Sequence, residues 1–158
     1  MIDVLGLDHV DLTVKDIARS SAFYDKVLGE LGFRRVPSSP ELDVNWANAH
    51  VSIGIYEAAP EEKAAVHTRR RPGFHHLAFR AKRREDVDRF HAFLVREGLT
   101  VLDPPAEYPK YGPGYYAVFF SDPDGMKLEL VWFPWGHWKK TMTEGSESPK
   151  RYDSSLFW

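Results

Sequence analysis

Two histidines and one glutamate are the side chains here whose types and placement could hold a cation. They are His9 in "LDHVDLTV" (residues 7–14), His76 in "GFHHLAFRA" (73–81) and Glu129 in "MKLELVW" (126–132). All three stretches alternate as strands do, sending neighbouring side chains to opposite faces. Val10, Leu12 and Val14 share one face, with His9, Asp11 and Thr13 on the other. Leu77, Phe79 and Ala81 likewise oppose His76, Ala78 and Arg80, and Leu128 and Leu130 oppose Glu129. A carboxylate among leucines and valines is costly without a partner, and a divalent cation removes that cost. Two neutral imidazoles and a carboxylate suit one zinc, manganese, nickel or ferrous ion and leave coordination positions open for a substrate. A histidine on a strand is more commonly a surface or hydrogen-bonded residue, so a ligand role and a structural role both stay open. By alternation His75 belongs to the face opposite His76, at the strand mouth, hydrogen-bonded or solvated.

The elements that must position these residues come in a doubled order. After the first strand, "KDIARSSAFYDKVLGELGF" places Ile17, Phe23, Val27, Leu28 and Leu31 at helical spacing, with Asp16 as N-cap and Gly32 as stop. Short strands follow in "FRRV", "DVNWANA" and "HVSIGIYEA". Residues 59–72 have no strand pattern and read as a linker, its basic run His67–Arg71 as a solvated stretch. The order then restarts. "FHHLAFRA" is followed by the amphipathic "REDVDRFHAFLVREG", with Val87, Phe90, Phe93 and Leu94 inward and Gly98 at its end. "LTVL", "YYAVFF" and "MKLELVWF" supply the remaining strands, the last two joined by the turn "DPDG". His76 follows His9 by 67 residues, and Phe90 follows Phe23 by 67. The expectation is an α+β fold of two βαβββ modules within one domain, 1–134: module one 4–58, linker 59–71, module two 72–134. Residues 135–158, with Trp135, His137 and Trp138, read as a C-terminal docking tail.

Composition bounds the function. Of 158 residues, 43% are hydrophobic and 14% aromatic, enough for a packed core. The net charge of −2 gives no electrostatic case for nucleic acid or an anionic membrane as partner. With no cysteine, disulfides, thiolate nucleophiles and Cys-ligated metals are excluded. No apolar run is long enough to span a membrane, and the N-terminus lacks a signal-peptide pattern, so a cytoplasmic location is expected.

The segments "LDHVDLTVKDIARSSAFYDKVLG", "GFHHLAFRA" and "YGPGYYAVFFSDPDGMKLELV" resemble the vicinal oxygen chelate superfamily, which includes glyoxalase I, extradiol ring-cleaving dioxygenases, fosfomycin-resistance thiol transferases and bleomycin-binding proteins. Similarity is greatest to a branch of small glyoxalase-like proteins carrying "YPKYGPGYYAVFF". The resemblance implies curved mixed sheets around a cup with helices on the outer face, one divalent metal ion held by His9, His76 and Glu129, and a homodimer. Two departures stand out. Glyoxalase I takes a fourth ligand, usually Glu, from the last strand of the first module; here that position reads as Ile53, and Glu57 lies four residues on, about 13 Å along a strand. Dioxygenases and fosfomycin transferases carry a tyrosine ten residues before the carboxylate, where this chain has Phe119.

The residues around the expected cup suggest a small, partly aromatic ligand. Tyr111, Tyr115, Phe119 and Ile53 are the substrate-binding candidates, Tyr115 having the parity of Phe119. Tyr115, Glu57 and Asp11 are the candidates for acid–base work. The expected function is a metal-dependent enzyme that binds a small substrate through two neighbouring oxygens. The alternatives are a binding or resistance protein that sequesters a drug or aromatic compound without turnover, and an Fe(II) extradiol-type dioxygenase.

Overall fold

The apolar stripes of both helices are buried in the core, together with Leu12 and Val14 of the first strand and Leu128 and Leu130 of the last. A computed structural model of the chain describes residue 2, residues 6–37 and residues 44–134. The first repeat runs β1 (His9–Val14), α1 (Ile17–Glu30), β2 (Arg34–Val36), β3 (Val44–Ala47) and β4 (Ser52–Glu57). The second runs β5 (Leu77–Arg80), α2 (Arg84–Arg96), β6 (Val101–Glu107), β7 (Tyr116–Ser121) and β8 (Lys127–Trp132). The four strands of each form a mixed, unclosed sheet in the same order, β1-β4-β3-β2 and β5-β8-β7-β6. The first strand runs parallel to the last in both, as a helical crossover requires. This is the α+β arrangement of two βαβββ modules.

Helix α1 starts where Asp16 accepts the Arg19 N–H at 2.9 Å, and Gly32 follows its end at φ 85°. It buries Phe23, Tyr24, Val27 and Leu28, while α2 buries Val87, Phe90, Phe93 and Leu94. Ile17 of α1 and Arg84 of α2 keep the 67-residue offset, so strand-to-helix spacing repeats without a gap.

By its contacts the chain divides into one unit of Met1–His76 with Ser121–Lys127, and another of Leu77–Phe120 with Leu128–Trp158. The first unit includes the turn between β7 and β8. There Asp124 accepts the Lys15 N–H at 2.7 Å and pairs with Arg19, and Asp122 accepts the Tyr24 hydroxyl at 3.2 Å. The turn is thereby tied to the start of α1.

Two expectations need correction. Strand β5 begins at Leu77, so His75 and His76 precede it and strand alternation does not separate them. Strand β6 runs on to Glu107 through Pro104 and Pro105, beyond the "LTVL" expected. It is an edge strand with register irregularities between Val101 and Ala106, where missing N–H donors are tolerated. The expected docking tail, 135–158, lies outside the described residues. Among those described, no helix is long and apolar enough to cross a membrane.

Candidate functional site

In the first unit, β1 and β4 carry a polar row on the face away from α1. Parallel pairing sets Val10 opposite Ile53 and Asp11 opposite Gly54, and antiparallel pairing sets Asn45 opposite Gly54. Ile53 and its neighbours Trp46 and Ile55 are buried in the core. Asn45, Gly54 and Asp11 thus form one row across three strands. The missing side chain of Gly54 matters here: a Cβ would collide with Asp11 Oδ1 and Asn45 Oδ1. At the mouth of the row, the His9 side chain is 58% exposed. Its Nδ1 meets Asp8 Oδ2 at 2.9 Å, and its Nε2 lies 3.8 Å from Asp11 Oδ2. The Asp8 hydrogen bond, reinforced by the Asp11 charge, raises the His9 imidazole above its ordinary pKa. When His9 is neutral, the Asp8 carboxylate favours the proton on Nδ1 and leaves Nε2 as an acceptor, the tautomer that a metal-binding histidine uses.

His76 is engaged at the same ring nitrogen by the residue in the same place, here an imidazole. His75 Nδ1 lies 2.7 Å from His76 Nδ1, and the rings meet edge-on with centroids 4.9 Å apart. Burial, then the neighbouring His76, Arg69, Lys127 and Arg70, lowers the His75 pKa, so His75 stays neutral and can accept the His76 Nδ1 proton. His75 follows Asp8 by the repeat distance of 67. In each module the residue before the candidate histidine therefore engages its Nδ1. Sequence alternation put His75 on the face opposite His76, hydrogen-bonded or solvated; that its partner is His76 itself is seen only in the structure.

In the second unit, Glu129 is 1% exposed and lies opposite Ala78 in the β5–β8 pairing. The Tyr115 hydroxyl donates to its Oε1 at 2.5 Å. Burial first, then this carboxylate, pushes the Tyr115 hydroxyl far above the ordinary tyrosine range, so it remains a proton donor. Ala117, Phe119, Val131 and Phe133 form a buried cluster on the same side, with Tyr108 and Tyr115 packed against it. Ring contacts form a chain, Phe119 to Tyr108 (5.1 Å), Tyr108 to Tyr111 (6.1 Å), Tyr111 to Tyr115 (5.1 Å) and Tyr115 to Phe133 (5.5 Å). The loop carrying these tyrosines is closed on itself by the bond from Tyr108 N–H to the Tyr115 carbonyl at 2.8 Å. Gly112, at φ 137°, lets it press on Phe133, where a Cβ would lie 3.0 Å from the ring. Packed on buried rings and closed by its own backbone bond, the loop forms an aromatic wall. Tyr115 also supplies Glu129 with the hydroxyl that Phe119, four residues on, lacks.

The other candidates fall elsewhere. The side chain of Ile53 is buried with Trp46, away from the His9 row, and the residue matching Glu129 in the repeat is Gly54 rather than Ile53. Glu57 pairs in register with Val14 and forms an ion pair with Lys63 at 2.7 Å, four positions beyond Ile53. Tyr111 is 42% exposed at the rim of the aromatic wall. Among the described residues no three His, Asp or Glu side chains already stand at metal-ligand spacing. His9 and His76 belong to the first unit and Glu129 to the second. The donor chemistry nevertheless suits a divalent cation: two imidazoles with engaged Nδ1 atoms, and a carboxylate removed from water.

Residues 6–130 match the model of the glyoxalase/bleomycin resistance protein/dioxygenase superfamily. The chain belongs to that superfamily. It is 32% identical to the Bacillus subtilis protein YqjT over 79% of this chain and 97% of that protein. It is 28% identical to the metallothiol transferase FosB of Bacillus licheniformis over 80% of this chain and 75% of that one. A solved glyoxalase/bleomycin resistance protein from Albidiferax ferrireducens superposes with a TM-score of 0.61 at 28% identity, covering 80% of this chain and 98% of that one.

Proposed function

We propose that the protein is a metal-dependent enzyme that binds a small substrate through two neighbouring oxygens, with His9, His76 and Glu129 as ligands of one divalent ion. The observation that carries this is the repeated engagement of Nδ1, by Asp8 on His9 and by His75 on His76. Such partners fix the tautomer a cation needs. Zinc, manganese, nickel and ferrous iron all accept this donor set. Bound there, the ion would polarise the substrate oxygens and lower the cost of charge developing on them. Tyr115, Phe119 and Tyr111 would hold an apolar or aromatic part of the substrate against their rings. Tyr115, kept protonated, serves as a hydrogen-bond donor at Glu129 rather than as a base. A homodimer in the cytoplasm is part of the proposal, with sedimentation and fractionation as its checks.

The test is elemental analysis of protein purified under each metal supply, for the wild type and His76→Ala, alongside product detection with small dicarbonyl and diol substrates. One ion per wild-type chain and a marked loss in the variant are expected. Equally little metal in both would overturn the proposal, and tight ligand binding without product and unaffected by a chelator would replace it with sequestration.

A second reading draws on Tyr115. Its hydroxyl on Glu129 supplies what Phe119 lacks for a two-His-one-Glu dioxygenase, and one relative, 29% identical, is a 2,2',3-trihydroxybiphenyl dioxygenase of Sphingomonas paucimobilis. Oxygen uptake with catechols by anaerobically iron-loaded protein would favour it.

A further inference from the structure

We propose that Asp11 is a further ligand, the carboxylate that the first module contributes to a divalent cation beside His9. This rests on the reading of His9 as a ligand. The argument comes from the internal repeat. In the second module, the last strand carries the carboxylate and the first strand a small residue, Glu129 opposite Ala78. The repeat carries Ala78 back onto Asp11, since 11 precedes 78 by the same 67 residues. Asp11 lies opposite Gly54, so the two residue types are exchanged between paired strands.

Side-chain placement shows that the exchange preserves the carboxylate on this face. Asp11 Oδ1 leans over β4 into the space a Cβ on Gly54 would fill, and Asn45 Oδ1 approaches that space from the other flank. The other oxygen, Oδ2, lies 3.8 Å from His9 Nε2, the nitrogen that Asp8 leaves for ligation. With its side chain 38% exposed, Asp11 has room to meet an ion from solvent. Gly54 is thus the vacancy that lets a β1 residue deliver an oxygen above β4. A second carboxylate raises the oxygen content and negative charge of the donor set, which shifts preference toward hard, six-coordinate ions such as manganese or ferrous iron and away from tetrahedral zinc.

Manganese binding, followed by the electron paramagnetic resonance of the free ion in titrations of metal-free protein, tests this without reference to activity. Asp11→Asn keeps the shape and removes the charge, and is expected to weaken Mn(II) binding at least about tenfold. Gly54→Ala, whose Cβ evicts Asp11, is expected to do the same. Asp11→Ala combined with Gly54→Glu moves the carboxylate to the strand that carries it in the second module and should recover affinity to within a few-fold of wild type. Thermal unfolding of each metal-free variant identifies losses due to misfolding. Wild-type affinity in Asp11→Asn, where His9→Ala has lost binding, would overturn the proposal and leave the His9 reading standing. A loss in Asp11→Asn with no recovery in the double variant would also overturn it, marking Asp11 as a partner of His9 rather than a donor. Wild-type affinity in His9→Ala, His76→Ala and Glu129→Ala alike would remove the underlying reading as well.

Discussion

The two modules share a backbone plan and differ in what they place on its open face. Strand order, parallel closing pair and helix offset are the same in both, and the helix-side residues follow one apolar pattern. On the other face, module one presents the polar row Asn45, Gly54 and Asp11, while module two presents Glu129 beside the rings of Tyr115, Phe119 and Phe133. The partner of the candidate histidine is anionic Asp8 in one and neutral His75 in the other. The difference has a physical reason. Helix-facing residues must fill a close-packed interior, where a changed volume costs stability. The other face is bound to no common packing: Asp11 is part exposed in module one, whereas Glu129, Phe119 and Phe133 are buried in module two, so it carries unlike chemistry.

The largest expected effect comes from equalising the two carboxylate positions. Glu129→Gln should abolish detectable binding of a divalent ion, whereas Asp11→Asn should only weaken it, because Glu129 is desolvated and Asp11 is not. Isothermal titration with Mn(II) compares them directly, and equal losses would break the asymmetry. Next in size is Tyr115→Phe, which removes a hydroxyl donor from a buried carboxylate and should cost about 1–3 kcal/mol in urea unfolding; no change would mean that Glu129 does not depend on Tyr115.

Asp8→Ala and His75→Ala come next. Each should weaken metal binding by about ten- to a hundredfold through loss of tautomer control, with Asp8→Ala the larger because the carboxylate is charged. The smallest effect is the opposite titration of two imidazoles, read by proton NMR of metal-free protein. His9 should titrate above 6.5 and His75 below it. By linkage, the Asp8–His9 contact stabilises the fold at pH below the unfolded value and fades as pH rises through the raised pKa. The His75 environment works the other way: stability falls as pH drops from the unfolded value toward the lowered pKa. Tyr115 is excluded from both windows, remaining protonated well above the ordinary tyrosine range.

Much of this was legible from the chain itself. Periodicity alone determined that α2 turns Val87, Phe90, Phe93 and Leu94 inward as α1 turns their counterparts, that the unit is doubled at a fixed offset, and that His9 and Glu129 avoid the helix side, because burying one face of each element forces a pattern into the sequence. Tertiary structure alone decided the register between strands. Register sets Gly54 rather than Ile53 as the match of Glu129 and lets Asp11 reach across to it; no local signal fixes which residues of separate strands stand opposite. It also decided that His75 and His76 meet ahead of β5 instead of parting, and that Tyr115 reaches Glu129 where Phe119 cannot, since strand ends and ring contacts follow from packing between elements rather than from alternation within one.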